Sequence, residues 1–208
     1  RPGSPARLGC PAFPMSPMYR ALSHVLLFLF LAVAGTAWPA WGAEPADVLR
    51  APYDAIVLRV QDGDSLIVRR VGQTRSQRLR LSGIDAPERG QPHADASRAA
   101  LAALVDGERV RVLPVKKDPY GRIVAALRLG ERDIGLAMIE GGHAWYFRRY
   151  RRDLPAELRK PYERAEARAR EAGAGLWGDA SAQPPWDYRL RQRDQRREAA
   201  DRERLSPS

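Results

Sequence analysis

The sequence contains very little cysteine and histidine, and this scarcity excludes several kinds of site. Cys10 is the only cysteine in 208 residues, so an intramolecular disulfide framework and a cysteine-based zinc cluster are both excluded. The three histidines lie far apart along the chain, which argues against a histidine-rich metal centre. With 17 Gly and 17 Pro, the composition is neither collagen-like nor of low complexity.

An apolar run long enough to span a bilayer is also missing. The longest run, Val25–Ala34, covers 10 residues, whereas a membrane helix needs about 20. A short basic region precedes this run and small residues follow it, which is typical of a secretory signal peptide. We therefore predict a signal peptide at residues 18–42, cleaved before Ala43 or, alternatively, after Gly35–Ala37, with 1–17 as an upstream segment. An uncleaved membrane anchor is the competing hypothesis.

The charge of the chain is strongly positive. Lys and Arg together number 35 against 25 Asp and Glu, a net charge of +10. Loss of the signal segment would reduce this to +7, because three arginines precede Ala43. Such a balance favours an acidic partner, either nucleic acid or an anionic membrane surface, and composition alone does not separate the two. The remaining chain would have no cysteine, which suits a secreted or periplasmic protein.

Hydropathy patterns predict five strands and three helices in the order β-β-β-α-β-β-α-α. Alternating and β-branched runs predict strands at 55–60, 65–68, 77–84, 108–115 and 121–129. Helical spacing predicts helices at 95–106, from Asp133 to Gly141, and from Pro155 to Gly173. This order predicts an α+β, mainly β, fold: a five-stranded Greek-key barrel of the OB type with three helices.

The predicted domain covers residues 53–179 and is followed by a tail at 180–208. After Trp186 the tail mixes both signs of charge with few apolar side chains. This composition predicts a solvated helix or disorder. An accessory arm that binds nucleic acid is the functional alternative.

Three short segments carry charged side chains that the predicted fold does not need. They are Asp62-Gly-Asp-Ser65, Arg80-Leu-Ser-Gly-Ile-Asp-Ala-Pro-Glu88 and Lys117-Asp-Pro-Tyr-Gly-Arg122. Each segment alone has an ordinary explanation as a turn, a cap or a solvated strand face. Their order and spacing within about 60 residues is what carries information, since charged motifs are informative in combination.

Together these segments supply the side chains that phosphodiester hydrolysis requires. A hard divalent cation needs oxygen ligands, which Asp64 and Asp85 can offer. A carboxylate such as Glu88 can orient or deprotonate a water molecule. The planar guanidinium groups of Arg80 and Arg122 suit the oxygens of a phosphate that gains charge in the transition state.

In this order, the three segments resemble the thermonuclease, or staphylococcal nuclease-like, family. The resemblance covers residues 53–179, including Gly175-Leu-Trp177 after the last predicted helix. It implies an OB barrel with calcium-dependent nuclease activity on DNA and RNA that leaves 3′-phosphate ends. Asp64, Asp85 and the backbone carbonyl of Ala86 would then be the calcium ligands.

The resemblance also implies a role for each remaining candidate. Glu88 would activate or orient the water, Arg80 would bind the phosphate, and Arg122 would bind it and assist the leaving oxygen. Asp62 and Asp118 would be secondary carboxylates near the site. Tyr120 would shape the loop beside the bound nucleotide.

One part of the family's pattern is matched incompletely. The expected pair of nucleotide-facing tyrosines falls on Arg148 and Tyr150, with Tyr146 or Phe147 as a possible replacement surface. The run from Arg148 to Arg152 is the densest basic patch. It is either a solvated loop or a contact to the phosphodiester backbone, with Tyr150 stacking on the nucleotide.

Two other classes of function compete with the nuclease. A catalytically inactive OB module would bind nucleic acid without cleaving it, but the full set of acidic residues and arginines argues against this. A signal-anchored protein whose basic face contacts anionic lipid would leave the carboxylates unexplained. We expect a monomer with DNA and RNA as substrates and no stable membrane contact after signal cleavage.

Overall fold

The computed structural model describes residues 51–205. The predicted upstream segment and signal peptide lie outside the described residues. Within residues 51–205, no helix is both long enough and apolar enough to cross a membrane.

Five main strands form a closed barrel, as the sequence predicts. The strands and the short pairings beside them are β1 (Tyr53–Val60), β2 (Ser65–Arg70), β3 (Ser76–Leu81), β4 (Ile84–Asp85), β5 (Arg109–Lys117), β6 (Ile123–Leu129), β7 (Arg132–Asp133) and β8 (Trp145–Tyr146). The order around the sheet is β3-β2-β1-β5-β6, and a parallel pairing of β3 with β6 closes it. Closure leaves no unpaired edge between these strands.

Helices occur at the three predicted places and also in the tail. They are α1 (Ala94–Val105), α2 (Ile134–Glu140), α3 (Ala156–Glu171) and α4 (Pro185–Leu205), with 3-10 turns at Arg148–Asp153 and Gly175–Gly178. The tail therefore follows the helical alternative of the two that its composition allowed. From Arg193 to Leu205 its side chains are exposed, as expected for a sequence with few apolar residues.

The core of the barrel consists of the inward-facing positions of the alternating strands. Val57, Leu66, Val68, Leu79 and Val112 are each at most 1% exposed. Burial of such aliphatic side chains contributes about 1.5–3 kcal/mol each. Because side chains alternate across a strand, the same register directs the intervening polar residues outward.

The strand register brings the charged segments together at one edge of the barrel. Ser65 pairs with Arg80 across β2 and β3, so Asp64 lies beside the end of β3. Leu81 pairs with Ala125 in the closing contact between β3 and β6. The loop before β6, which contains Arg122, therefore lies at the same edge.

A buried polar contact anchors α2 against α3. Asp133 Oδ1 accepts a hydrogen bond from the Leu136 amide at 2.8 Å and another from the Tyr162 hydroxyl at 2.6 Å. The predicted start of this helix at Asp133 is thus confirmed: Asp133 is its N-cap, and the same carboxylate also accepts a hydrogen bond from a buried phenol. Burial and the neighbouring Asp133 raise the pKa of Tyr162, which therefore stays a neutral donor.

Replacing Asp133 with Ala should destabilise the domain by about 2–3 kcal/mol, because the change removes the N-cap and leaves the Tyr162 hydroxyl buried without its acceptor. Urea unfolding followed by circular dichroism measures this loss. Asp95→Ala, at a fully exposed carboxylate in the first turn of α1, is the control and should change stability by less than about 0.5 kcal/mol. Equal stability of the two variants would show that the Asp133 contact is unimportant.

Candidate active site

A cleft of about 830 Å³ opens at the barrel edge where the three charged segments meet. Nine of the residues predicted from the sequence line it: Asp62, Asp64, Arg80, Ala86, Glu88, Asp118, Tyr120, Arg122 and Tyr150. A tenth, Asp85, lies directly behind this lining and is 1% exposed. The fold therefore gathers residues that span almost 90 positions of sequence into one concave surface, as expected of a ligand site.

Arg80 joins two buried carboxylates at the wall of this cleft. Its Nη1 atom lies 2.6 Å from Asp64 Oδ2, and its Nη2 atom lies 2.7 Å from Asp85 Oδ1. The guanidinium is 14% exposed, and the two acidic side chains are 8% and 1% exposed. A planar guanidinium holds its donors in a fixed geometry and so sets the relative position of the two carboxylates, whereas the rotating donors of an ammonium group do not.

Further contacts fix the orientation of Asp64. Its Oδ2 atom accepts the Ala86 amide at 2.7 Å, and its Oδ1 atom accepts the Ser65 hydroxyl at 3.0 Å. Burial raises the pKa of the Asp64 carboxyl, and the Arg80 guanidinium and the Ala86 amide oppose that rise. The serine that stands in the Asp-Gly-Asp-Ser motif thus supplies a hydroxyl to the carboxylate beside it.

Close packing behind the motif explains its glycine. A Cβ atom on Gly63 would lie 1.8 Å from Ser97 Oγ and 2.7 Å from Ala86 Cβ. The hairpin therefore approaches both α1 and the Ala86 loop closely, and no larger residue fits. Ser97 in turn donates a hydrogen bond to the carbonyl of His143 at 2.7 Å.

The oxygens near Arg80 form a donor set that suits a hard divalent cation. Asp64 and Asp85 supply carboxylate oxygens on either side of the Arg80 guanidinium. Calcium prefers such oxygen ligands and completes its shell with carbonyls and water. Within residues 51–205, no three Asp, Glu, His or Cys side chains cluster as a metal site, so the protein would provide few side-chain ligands.

Arg122 is held by a loop that Asp118 organises. Asp118 Oδ1 accepts the amides of Tyr120 and Arg122, each at 2.9 Å, and Asp118 Oδ2 accepts Arg122 Nε at 2.7 Å. Although burial favours its neutral form, these donors lower the pKa of Asp118. The Asp118 carboxylate thereby positions the Arg122 guanidinium at the cleft and leaves the Nη groups of Arg122 for a further partner.

Aromatic side chains also line the cleft. Tyr120 is 74% exposed and Tyr150 is 45% exposed. Phe147 also lines the cleft and contacts the Tyr150 ring edge-to-face at 5.0 Å. Tyr146 is buried against Tyr162 instead. Of the two replacement surfaces that the sequence suggested, Phe147 is therefore the one at the cleft.

Arg148 does not line the cleft. Its Nη1 atom lies 2.7 Å from Glu166 Oε2 on α3, and its guanidinium lies 5.1 Å from the centre of the Tyr146 ring. This contact gives the buried Glu166 carboxylate a counter-charge. The role of Arg148 in substrate binding stays a prediction.

Other charged residues line the cleft although the sequence analysis did not single them out. They are Arg78, Lys116, Lys117, Asp153 and Arg189. Lys116 pairs with Asp153 at 2.6 Å and lies 5.0 Å from the centre of the Tyr150 ring. The position of Lys116 and Lys117 beside the Asp118 motif could have indicated them. Nothing in the local sequence distinguishes Arg189 from the other arginines of the tail.

A closed OB-type barrel with paired carboxylates and arginines in a cleft at its edge defines the class of this protein. Comparison with known families gives the same result, since residues 78–179 match the family described as staphylococcal nuclease homologue. The chain is 32% identical over 170 residues to an uncharacterized endonuclease of Escherichia coli, covering 80% of this chain and 95% of that protein. The chain belongs to the staphylococcal nuclease-like family, as the sequence motifs predict.

Two further relatives are similar to this chain over different lengths. A micrococcal nuclease of Shigella flexneri is 34% identical over 160 residues, covering 73% of this chain and 83% of that protein. A probable staphylococcal-like nuclease of Oryza sativa subsp. japonica is 37% identical over 125 residues, covering 60% of this chain. The chain spans about a third (32%) of the length of that rice protein.

The geometry of the Arg122 loop can be tested directly. Asp118→Ala should speed hydrogen exchange at the Tyr120 and Arg122 amides about 5- to 10-fold, since each loses a hydrogen bond worth about 1 kcal/mol. Nuclear magnetic resonance of the exchanging amides measures the effect. Asp118→Asn keeps the accepting oxygen and should retain most of the protection. Unchanged exchange in Asp118→Ala would mean that Asp118 does not hold the loop.

Proposed function

We propose that this protein is a calcium-dependent nuclease that hydrolyses phosphodiester bonds of DNA and RNA and leaves 3′-phosphate ends. Membership of the staphylococcal nuclease-like family supports nuclease activity in general, as do relatives named endonuclease and micrococcal nuclease. The proposed calcium dependence, the substrates and the 3′-phosphate product rest on the chemistry of the site.

One observation carries the proposal: Arg80 bridges Asp64 and Asp85 at the wall of a cleft that Glu88 and Arg122 also line. The acidic side chains Asp64, Asp85 and Glu88 outnumber the arginines paired with them, Arg80 and Arg189, and a buried carboxylate without a counter-charge is costly. A structural ion pair would need only one carboxylate. The surplus acid is what a cation-binding site requires.

Asp64, Asp85 and the Ala86 carbonyl would hold the calcium ion, which when bound would neutralise charge on a phosphate oxygen. Arg80 and Arg122 would donate hydrogen bonds to the non-bridging oxygens, whose charge grows in the transition state. Glu88 would accept a proton from the attacking water as a new P–O bond forms. The P–O5′ bond would break, Arg122 would stabilise the departing oxygen, and the phosphate would stay on the 3′ end.

We further propose that the protein acts outside the cytoplasm, as a secreted or periplasmic monomer. The support comes from the signal-like pattern at residues 18–42 and from the absence of cysteine after it. A basic surface would help such an enzyme to collect polyanionic substrate by electrostatic attraction.

Cleavage of single-stranded DNA in calcium and in chelator tests the proposed function. Purified protein should shorten a 5′-labelled oligonucleotide in calcium, stop when the calcium is chelated, and resume when calcium is restored. Binding of the oligonucleotide without any cleavage would favour the non-catalytic OB module instead.

Glu88→Gln should lower kcat by about 30- to 1,000-fold, equivalent to roughly 2–4 kcal/mol of transition-state stabilisation, because the amide cannot accept the proton from water. Initial cleavage rates at saturating calcium measure the loss. Glu131→Gln, at an exposed glutamate in the turn between β6 and β7, is the matched control and should cleave normally. Full activity of Glu88→Gln would remove Glu88 from the mechanism.

Arg122→Lys should reduce kcat/KM by about tenfold or more, because an ammonium lacks the fixed planar pair of donors that a guanidinium presents to one phosphate. The lysine also lacks the Nε–H group that Asp118 holds. Arg132→Lys, an exposed arginine in β7, controls for the general effect of exchanging one cation for another. Equal kcat/KM for both variants would argue against a phosphate contact by Arg122.

A further inference from the structure

The start of α4 is fastened to the rim of the cleft. Gln91 Nε2 donates to the carbonyl of Gln183 at 2.5 Å, and the same side chain accepts the Glu88 amide at 3.0 Å. Trp186 stacks on Phe147, with ring centres 5.3 Å apart and planes 6° from parallel. The segment before α4 is thus tied to the loop that carries Glu88, and the first turn of α4 is tied to an aromatic side chain of the cleft.

One turn further, Arg189 reaches the acidic residues of the proposed active site. Its Nη2 atom lies 2.8 Å from Asp85 Oδ2, and its Nη1 atom lies 3.2 Å from Asp85 Oδ1 and 2.5 Å from Glu88 Oε1. One guanidinium therefore binds both the proposed calcium ligand and the proposed water-activating residue.

Through these contacts Asp85 and Glu88 are hydrogen-bonded to an arginine of the same chain. Asp85 Oδ1 already accepts Arg80 Nη2 at 2.7 Å, so both oxygens of Asp85 are hydrogen-bonded to arginine. With Arg189 in place, the Asp85 side chain is 1% exposed. A cation that uses Asp85 competes with a guanidinium for the same lone pairs, and the same guanidinium also occupies Glu88 Oε1.

The attachment of α4 is local, and most of the helix takes no part in it. Pro185 is buried and Trp186, Tyr188 and Arg189 are partly buried, whereas every residue from Arg193 to Leu205 is exposed. Few contacts therefore oppose release of the helix, as is usual for elements that move.

We propose that α4 is an intramolecular inhibitory strap, in which Arg189 occupies Asp85 and Glu88 and must leave before the site can bind its cation and substrate. This inference rests on the proposed function, because it regulates the same carboxylates. Calcium binding and the docking of α4 would be linked. Bound calcium would weaken the docking of α4, and docked α4 would weaken calcium binding by the same factor.

Calcium binding to the full chain, without nucleic acid, tests the strap. By isothermal titration calorimetry, Arg189→Gln should bind calcium at least tenfold more tightly than the wild type, since no guanidinium has to be displaced. Arg193→Gln removes the same charge from the exposed part of α4 and should bind calcium like the wild type.

The indole N–H resonance of Trp186 reports the position of the helix independently of calcium affinity. Stacking on Phe147 shifts this resonance, and Trp186→Phe would assign it. Adding calcium to the wild type should move the resonance to the position that Arg189→Gln shows without calcium. Arg193→Gln should follow the wild type.

Two results would overturn the strap. One is calcium affinity of Arg189→Gln within twofold of Arg193→Gln. The other is slower DNA cleavage by Arg189→Gln at unchanged calcium affinity, which would make Arg189 a substrate contact.

If the wild type cleaves DNA in calcium but the two variants bind calcium alike, the strap alone fails. If calcium releases Trp186 and no variant cleaves DNA, the proposed function alone fails.

Discussion

The double ion pair of Arg80 is the interaction on which the rest of the site depends. Asp64 lies directly before β2 and Asp85 belongs to β4, and the two carboxylates would repel each other if Arg80 did not lie between them. Removing one member of a buried ion network typically costs about 3–5 kcal/mol. The pairing of Ser65 with Arg80 across β2 and β3 sets this arrangement, and closure of β3 onto β6 brings the Arg122 loop to the same edge. The barrel therefore fixes the relative positions of the acidic and basic groups before any ligand binds.

In the proposed function the same carboxylates have two competing partners, the arginines of the chain and a calcium ion. Asp85 is stabilised by arginines of its own chain, Arg80 from β3 and Arg189 from α4. A divalent cation concentrates more charge than a guanidinium and can compete for the same oxygens. Arg80 belongs to the closed barrel and stays in place, whereas Arg189 belongs to a helix that is mostly exposed. Displacement of the second arginine therefore disturbs the fold much less than displacement of the first.

Much of the fold and of the site could be predicted from the sequence, because both depend on local patterns. Alternation located the five strands, and Asp133, Gly141 and Pro155 marked helix ends where the structure has them. Contacts between side chains that are distant along the chain left no such pattern in the sequence. Arg80 resembles a solvated strand residue until the β2–β3 register is known, Arg148 turns to Glu166 on α3, and Arg189 meets Asp85 across 104 positions. Composition predicted only the solvated character of the tail, and its exposed second half agrees with that.

The central claim is that the carboxylates joined by Arg80 form the calcium site of a nuclease. Calorimetric titration of calcium into the wild type and into Asp64→Asn measures this most directly, with Asp54→Asn as the control, since Asp54 pairs with Arg109 and Arg111 on the outside of the barrel. We expect the wild type and Asp54→Asn each to bind one calcium ion, and Asp64→Asn to bind it at least tenfold more weakly. Equal calcium affinity for all three proteins would contradict it.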